Sequence, residues 1–252
     1  MFFDSKFHSL LAIEGELWVW GANESCQLGI DGNITGNALP ENIISVPTRV
    51  KYLGDMDIYN SRTNNRCIKS VSCGLNFSVV LTFDGNLYGA GTNIKVGTVG
   101  YRLGMKEPNI VEKFTHIPLS AQIIEISSGF FHTLALSADN QLYSFGENFY
   151  GQLGVSKTNF EPINRVDFNF GKITKIKCGY QCSVVVNSDD EVWFFGYVQH
   201  DMMSGNPVRI FKVEDPGYKI KDIGCGLNFI VVTTVNNSDN KYKLHTIGRN
   251  DV

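Results

Sequence analysis

The strongest constraint on the fold is a spacing that recurs along the 252-residue chain. Three segments carry a Cys-Gly or Ser-Gly pair and reach a second glycine 17 residues later: VSCGLNFSVVLTFDGNLYGAG, ISSGFFHTLALSADNQLYSFG and IKCGYQCSVVVNSDDEVWFFG. A fourth copy stretches the spacing to 22 residues between Gly226 and Gly248, and the first copy enters late at FHSLLAIEGELWVWG. A fixed period of about 20–50 residues indicates one supersecondary unit that is stacked repeatedly.

Each unit has the sequence pattern of four β-strands. Short runs such as FSVVLT and NLYGAG are rich in β-branched and aromatic residues, and they are separated by Asp84-Gly85, Asp139-Asn140 or Asp189-Asp190. These residue types tolerate the positive φ of a two-residue hairpin turn. One further strand precedes the hairpin, and a proline opens a fourth in PTRVKYL, PNIVEKF, PINRVDF and PVRIFKV. Proline suits an edge strand because it cannot donate a ladder hydrogen bond.

Four antiparallel strands that recur at roughly 50-residue intervals predict an all-β fold, the β-propeller. Leucine-rich and ankyrin repeats are shorter, other solenoid repeats are mostly helical, and no segment of this chain sustains a helical apolar period. We expect a single repeat domain over residues 1–252, with approximate units 1–67, 68–122, 123–172, 173–219 and 220–252.

The units share three motifs: CG before an apolar strand, DGxLYxxG, and GxNxxGQLG. They are clearest at residues 123–154, and in this combination the chain resembles the repeat of the regulator of chromosome condensation family over nearly its whole length. The copy after Gly196 departs, because GYVQHDMMSGNP has lost the Asn and the Gln-Leu-Gly. The resemblance implies a closed seven-bladed propeller, for which this chain is too short. We therefore expect an incomplete propeller of about five blades, the outer ones partial, as an open arc or a fragment of a longer protein.

The glycine-rich segment GENFYGQLG, residues 146–154, has the spacing of a phosphate-binding loop. Gln152 and Leu153, however, stand where such a loop requires Lys and Ser or Thr. The same segment recurs as GANESCQLG at residues 21–29, and GTNIKVGTVGYRLG at 91–104 is a stretched version. A repeated feature is architectural, so we interpret it as a structural turn in which Asn148 bonds nearby backbone and Leu153 packs between blades.

The cysteines and histidines fall on repeat positions rather than in a site. One position holds Cys73, Cys178 and Cys225, with Ser128 in the remaining copy, and another holds His8, Phe77, His132, Cys182 and Phe229. A small buried residue satisfies the first position, and a catalytic base is not interchangeable with phenylalanine at the second. We expect reduced thiols, no metal, no cofactor and no catalytic residues, and hence no enzyme.

The net charge and the N-terminal residues restrict the kinds of partner that we expect. A net charge of −3 and a pI near 6.0 provide no electrostatic reason to expect nucleic acid. The N-terminal residues show neither a basic leader nor a long apolar run, so we expect no membrane association and a cytoplasmic or nuclear location.

Insertions between units mark candidate contact loops. From the last glycine of a closing turn to the next isoleucine there are 19 residues for Gly104 to Ile123, but 39 for Gly29 to Ile68. The additional residues lie at 30–46 and 54–66, and loops on a rigid scaffold are common sites of binding. The predicted partner-binding residues are Asp31, Asn33, Asn37, Glu41, Asn42, Asp55, Asp57, Tyr59, Arg62 and Arg66. A tolerated insertion without function is the alternative reading.

Two functions follow from this reading. The first is a non-catalytic protein–protein interaction module that presents propeller loops to a protein partner. The second, implied by the family resemblance, is a guanine-nucleotide exchange factor for a small GTPase of the Ran type, although no residue matches the wedge that exchange requires. Chromatin binding is disfavoured because a basic tail is lacking. We also expect self-association through incomplete terminal blades, whose edges and apolar faces would otherwise meet water.

Overall fold

The computed structural model describes residues 2–4, 8–30, 42–54, 56–57, 67–94, 101–155, 161–199 and 202–248, with residues 2–4 and 56–57 described by their backbone alone. Throughout these ranges the regular elements are β-strands, which confirms the predicted all-β class. The same ranges contain no helix long and apolar enough to cross a membrane.

The strands form five main antiparallel sheets in chain order, numbered 1 to 5. Sheet 1 contains β1 (Phe2–Asp4), β2 (His8–Ile13), β3 (Glu16–Ala22) and β4 (Ile43–Arg49). A small pair follows, β5 (Tyr52–Leu53) and β6 (Met56–Asp57). Sheet 2 contains β7 (Ile68–Cys73), β8 (Phe77–Thr82), β9 (Leu87–Thr92) and β10 (Ile110–His116). Sheet 3 contains β11 (Ile123–Ser128), β12 (His132–Ser137), β13 (Leu142–Gly146) and β14 (Asn164–Arg165).

The last two sheets continue this order. Sheet 4 contains β15 (Ile173–Cys178), β16 (Gln181–Asn187), β17 (Glu191–Gln199) and β18 (Met202–Lys212), and sheet 5 contains β19 (Tyr218–Cys225), β20 (Phe229–Asn236) and β21 (Tyr242–Gly248). Sheet 1 therefore has four strands, although β1 is only 3 residues long. The expectation of an incomplete propeller stays a prediction.

The hairpin turns of sheets 2 and 3 lie where the sequence predicts them, but their loops have three residues rather than two. Thr82 N–H donates to the Asn86 carbonyl at 3.0 Å, which leaves residues 83–85 as the loop, and residues 138–140 form the equivalent loop in sheet 3. Asn140 has a φ of 65° at the last loop position. A three-residue loop needs a left-handed residue at that position only, whereas a two-residue turn of type I′ needs two of them.

The core is divided among the four junctions between consecutive sheets. Each junction holds one cluster of buried apolar side chains, as with Leu10 and Val80 between sheets 1 and 2, or Phe77 and Ala135 between sheets 2 and 3. No single sheet has its own core, because every junction is built from the facing surfaces of two sheets. This is the dependence on neighbours that a repeat architecture predicts.

Sheet 4 replaces the closing turn by a long hairpin. Strands β17 and β18 pair up to Gln199 and Met202, well beyond the length of the equivalent strands in sheets 2 and 3. Pro207 lies inside β18, where the ladder register shifts, and Pro47 lies inside β4 at a similar shift. The prediction that proline opens the fourth strand is therefore wrong for these two strands. A bulge tolerates proline because the ladder is locally interrupted there.

Candidate interaction face

The ends of the antiparallel strands define two opposite faces of the molecule. We call turn face the side that carries the loops between first and second strands, at residues 74–76, 129–131, 179–180 and 226–228, together with the closing turns after β3, β9 and β13. We call the opposite side the hairpin face, because it carries the hairpin loops and the connections to the next sheet. Alternate connections of an antiparallel sheet leave from opposite ends.

The polar groups of the closing turn form hydrogen bonds within the turn itself. Asn148 Oδ1 accepts a hydrogen bond from Leu153 N–H at 2.9 Å, Asn148 Nδ2 donates to the Val155 carbonyl at 3.2 Å, and Gln152 Oε1 accepts from Tyr150 N–H at 3.0 Å. The equivalent bond of sheet 1 joins Leu28 N–H to Asn23 at 3.0 Å. Backbone N–H groups that are occupied in this way do not cradle a phosphate. The contacts thus support the structural reading of GENFYGQLG.

Gly146 shows why glycine begins this turn. Its φ is 112°, and a Cβ built there would overlap the carbonyl oxygen of Phe131 and the Cα of His132. The left-handed conformation and the close approach of the neighbouring strand both exclude a side chain.

A buried histidine and serine join the closing turn to the following sheet. Ser183 Oγ donates to the Gln152 carbonyl at 2.7 Å, and His132 Nε2 lies 3.0 Å from the same hydroxyl oxygen. Because the serine proton is directed at the carbonyl, the ring nitrogen must be the donor to the hydroxyl. Burial lowers the pKa of His132 to about 4, so the ring is neutral at physiological pH. We call this arrangement the His-Ser clasp, and a site closed to water gives it a structural role.

The same clasp recurs between sheets 1 and 2. His8 Nε2 lies 2.9 Å from Ser78 Oγ, which donates to the Gln27 carbonyl at 2.6 Å. Neither histidine was expected to be a catalytic base, but their serine partners were not predicted from the sequence. The available signal was that Ser78 and Ser183 share one repeat position and that each follows a unit with a Gln-Leu-Gly turn.

A small cavity opens at the centre of the turn face. Its volume is about 230 Å³, and the apolar side chains around it are those of Leu75, Phe130, Tyr180 and Leu227. Backbone bonds connect these loops in series, from Leu75 N–H to the Phe130 carbonyl at 2.9 Å and from Phe130 N–H to the Tyr180 carbonyl at 3.3 Å. The cavity rim is therefore held by the main chain of successive sheets.

Thiols line the floor of this cavity and are not activated. Burial raises the pKa of Cys178 to about 12, and a hydrogen bond with Cys182, together with burial, raises the pKa of Cys225. The nucleophilic form of cysteine is the thiolate, so these groups are poor nucleophiles at neutral pH. All six cysteines are free, and within the described ranges no three His, Cys, Asp or Glu side chains form a group that could hold a metal ion.

Aromatic side chains concentrate on the turn face, and two of them, Phe130 and Tyr180, line the cavity. The Phe130 and Tyr180 rings have centroids 4.2 Å apart, Phe130 and Phe131 are 4.8 Å apart, and the Arg102 guanidinium lies 4.3 Å over the ring of Phe131. Arg102 also forms an ion pair with Glu147 at 2.8 Å, which fixes it between sheets 2 and 3. We call the turn-face aromatic set Phe130, Phe131, Phe149, Tyr150, Tyr180 and Tyr197.

Most of this set is half-buried, whereas Phe149 is exposed. Tyr150 and Tyr197 pair at 5.1 Å, which links the closing turn of sheet 3 to the long hairpin of sheet 4. Tyr, Phe and Arg are enriched in protein interfaces relative to other surfaces. This set was not predicted from the sequence, because candidate contact loops were selected there by their length alone. The signal was an apolar residue after every Cys-Gly or Ser-Gly pair, although that position lies in a loop.

The predicted partner-binding loops leave the sheets at opposite faces. The segment after Ile30 departs from the turn face, whereas the segment after Leu53 departs from the hairpin face. Asn42 is exposed, has a φ of 53°, and its carbonyl accepts from Asn23 N–H at 2.8 Å. Asp57 is described by its backbone alone, in β6. The other predicted residues lie outside the described ranges: Asp31, Asn33, Asn37, Glu41, Asp55, Tyr59, Arg62 and Arg66.

Known proteins share this repeat and this fold. The regulator of chromosome condensation (RCC1) repeat matches at residues 14–81 and 139–186, and a second description of the same repeat matches at 68–95 and 123–152, together more than half of the chain. The Protein RCC2 homolog of Danio rerio is 27% identical over 253 residues, which cover 89% of this chain and 47% of that protein.

Two solved structures illustrate the shared fold. Human WBSCR16 superposes with a TM-score of 0.75 and 22% identity over 97% of this chain and 60% of its own. Prp20p of Saccharomyces cerevisiae superposes with a TM-score of 0.77 and 18% identity over 99% of this chain and 57% of its own. The chain spans about half the length, or less, of the curated relatives it matches. With its repeat, its sheets and its closing turns, this chain belongs to the regulator of chromosome condensation (RCC1) repeat family.

Proposed function

We propose that this chain is a non-catalytic protein–protein interaction module and that a protein partner binds its turn face. The observation that carries the proposal is the turn-face aromatic set, two members of which, Phe130 and Tyr180, line a cavity whose rim is fixed by main-chain hydrogen bonds. Rigid aromatic side chains bury much area at a low cost in conformational entropy, which is why such residues dominate binding energy at interfaces.

The size of the cavity favours a macromolecular partner. Its volume of about 230 Å³ is below the range of roughly 300–1,000 Å³ typical of small-molecule sites. A site of this size accommodates an apolar side chain from a partner, while the surrounding aromatic rings contact the partner's surface.

The inserted loops contribute to this proposal in different ways. The first insertion follows Ile30, where the chain leaves the turn face, and includes Asp31, Asn33, Asn37, Glu41 and Asn42, which would contact the same partner. The second insertion follows Leu53, where the chain leaves the hairpin face, and includes Asp55, Asp57, Tyr59, Arg62 and Arg66, which would form a separate contact.

A guanine-nucleotide exchange factor for a small GTPase of the Ran type is the second candidate. Yeast Prp20p, which shares the fold, binds the small GTPase Gsp1p and histones. If exchange occurs, release of labelled GDP from a panel of small GTPases accelerates when the full chain is added. An unchanged release rate across the panel leaves the interaction module as the function. On either reading we propose a nuclear or cytoplasmic protein with no nucleic acid, membrane or cofactor requirement.

The interaction module is tested by capture with matched variants. The Phe130→Ala/Tyr180→Ala double variant removes two rings at the cavity, and Phe83→Ala removes an exposed ring on the hairpin face. We expect proteins that the wild-type chain captures to be lost with the double variant and retained with Phe83→Ala, provided that both variants keep the wild-type circular-dichroism spectrum. Partners that the double variant retains would contradict a site on the turn face.

A further inference from the structure

The first strands of sheets 2 to 5 lie side by side, and we call the surface that they form the inner edge. It consists of β7, β11, β15 and β19, each of which contacts the following one. Gly226 N–H donates to the Phe229 carbonyl at 2.9 Å. Because N–H groups alternate between the two sides of an antiparallel strand, the N–H of the preceding Cys225 points away from β20 and toward the inner edge.

Serine side chains of the preceding sheet accept the equivalent inward hydrogen bonds in two other sheets. Ser72 Oγ accepts from Ser128 N–H at 2.7 Å, and Ser127 Oγ accepts from Cys178 N–H at 2.9 Å. Ser72 and Ser127 share one repeat position, directly before the Cys-Gly or Ser-Gly pair. The junctions of sheets 2 and 3 and of sheets 3 and 4 thus match each inward N–H with a neutral acceptor.

Sheet 4 carries a lysine at this position, Lys177. An ammonium group has three donors and no acceptor, so it cannot accept the hydrogen bond that the serines accept in sheets 2 and 3. Among the residues that the structure describes, no side chain accepts a hydrogen bond from Cys225 N–H. The junction of sheets 4 and 5 therefore places two donors, one of them cationic, where the other two junctions place a donor and an acceptor.

Further ammonium groups gather at the same part of the inner edge. Burial raises the pKa of the Glu125 carboxylate, while the Ile176 N–H, which donates to it at 3.4 Å, opposes the rise. Three ammonium groups also oppose it, those of Lys177, Lys175 and Lys69. Three positive charges thus face one carboxylate, so positive charge is in excess.

Sheet 5 does not remove this excess. Asp222 is the other acidic residue in the first strands of sheets 2 to 5, and its Oδ1 accepts a hydrogen bond from Ile223 N–H at 2.9 Å. The exposed Lys219 and Lys221 lie on the same strand and offset its charge. The inner edge is therefore basic, although the chain as a whole has a net charge of −3.

We propose that the inner edge binds a phosphate group at the junction of sheets 4 and 5, held by Cys225 N–H and by the ammonium groups of Lys177 and Lys175. A phosphate oxygen supplies the acceptor that this junction lacks, and hydrogen bonds from ammonium and backbone N–H groups to phosphate are strengthened by charge. A dianion matches the excess of positive charge better than a carboxylate does. Cys225 also lines the turn-face cavity, which gives the phosphate access from solvent.

This site goes beyond the proposed function, because a small anion binds there without a protein partner. The phosphate is either the free ion or the group of a small phosphate monoester, since both present the same oxygens. Two probes, inorganic phosphate and O-phosphoserine, distinguish these sources by their relative affinities. Acetate is the third probe and represents a carboxylate.

Nuclear magnetic resonance of the full chain labelled with nitrogen-15 tests the inference. The protein is titrated with each probe at constant ionic strength, which keeps the screening of non-specific attraction unchanged. We expect the amide signal of Cys225 to shift and to saturate with inorganic phosphate or O-phosphoserine, and acetate to bind more weakly than both.

Lys177→Ser is the decisive variant, because it installs the acceptor that sheets 2 and 3 carry at this position. It should weaken phosphate binding by roughly 10- to 100-fold while the protein stays folded, since the serine hydroxyl can accept from Cys225 N–H. Lys172→Ser removes an exposed lysine just before β15, at the opposite end of that strand, and should bind phosphate like the wild type. If Lys177→Ser fails to fold, Lys177→Met removes the charge and keeps a long side chain.

Three results would overturn the proposal. The first is a Cys225 signal that does not move, or moves without saturation, with either phosphate probe. The second is phosphate binding that Lys177→Ser or Lys177→Met leaves at the wild-type affinity. The third is acetate that binds as tightly as phosphate, which would make the site a carboxylate site.

Discussion

The junction between sheets 3 and 4 and the junction between sheets 4 and 5 use the same repeat positions with different chemistry. The first contains the His-Ser clasp, in which His132 and Ser183 meet at the carbonyl of Gln152. In the second, Cys182 stands at the histidine position and Ile230 at the serine position, and both are fully buried in an apolar cluster. One junction is joined by buried polar groups and the other by aliphatic packing.

The difference shows that the clasp and the Gln-Leu-Gly turn occur together. Sheet 4 has lost this turn, and with it the carbonyl that the serine hydroxyl needs. At the junction of sheets 2 and 3 the turn is stretched and Arg102 stands at the glutamine position. There Thr133, at the serine position, bonds Ser128 of its own sheet instead, at 3.0 Å. A buried polar group that loses one partner is costly, so the three groups of the clasp are retained or replaced as a set.

The largest loss of stability is expected for a substitution at Gly151, where the closing turn of sheet 3 meets the long hairpin of sheet 4. Gly151 has a φ of 83°, and a Cβ built on it would overlap the Cα of Gly205 in β18. We expect Gly151→Ala to lower the free energy of unfolding by about 3 kcal/mol or more, since strain and a backbone overlap combine. In Gly205→Ala the new Cβ is at ordinary contact distance, 4.0 Å from Gly151, and the loss should be below about 1 kcal/mol. Urea unfolding measures both, and equal losses would contradict the close approach.

Low pH should selectively weaken the junction between sheets 3 and 4, which contains His132 and its clasp. The pKa of His132 is about 4 in the folded protein against an unperturbed value near 6.5, so the unfolded chain binds a proton first as pH falls. This contribution to stability is complete above pH 6.5 and is lost progressively toward pH 4, on the order of 3 kcal/mol in total.

The matched variant is His132→Phe, which installs the residue that sheets 2 and 5 carry at this position. Its unfolding free energy should depend less steeply on pH between 6.5 and 4 than that of the wild type. If the unfolding free energies of the two proteins changed in parallel with pH, His132 would not be the buried neutral group described above.

Removing the hydroxyl of the clasp tests its contribution at neutral pH. Ser183→Ala leaves the His132 ring nitrogen and the Gln152 carbonyl without this partner, and we expect a loss of roughly 1–3 kcal/mol. Thr133→Val at the junction that lacks the clasp removes only the bond to Ser128 and should cost less than Ser183→Ala. Thermal unfolding measures both losses. A larger loss of stability for Thr133→Val than for Ser183→Ala would contradict the comparison.

Much of the fold could be predicted from spacing, because the 17-residue interval of three units spans the hairpin formed by their second and third strands. The long hairpin of sheet 4 could not, since GYVQHDMMSGNP contains no turn signal that places its tip. The His-Ser clasp was also missed, because His132 and Ser183 lie 51 residues apart and meet only through packing of the sheets.

The predicted contact loops stay a prediction. Loop length pointed to residues 30–46 and 54–66, and the structure shows that these segments leave from opposite faces. The turn-face aromatic set was not predicted, because it lies in loops of ordinary length that the length criterion does not select. Which aromatic residues lie on the surface depends on the loops that carry them, and sequence periodicity does not report this.

The central claim, that a protein partner binds the turn face, is tested most directly by site-specific photo-crosslinking in native cell extract. A benzophenone amino acid replaces Phe149 on the turn face in one protein and Phe83 on the hairpin face in another, both exposed positions. The account predicts a defined crosslinked protein from position 149 and none in common from position 83. Crosslinks that form at position 83 and not at position 149 would contradict it.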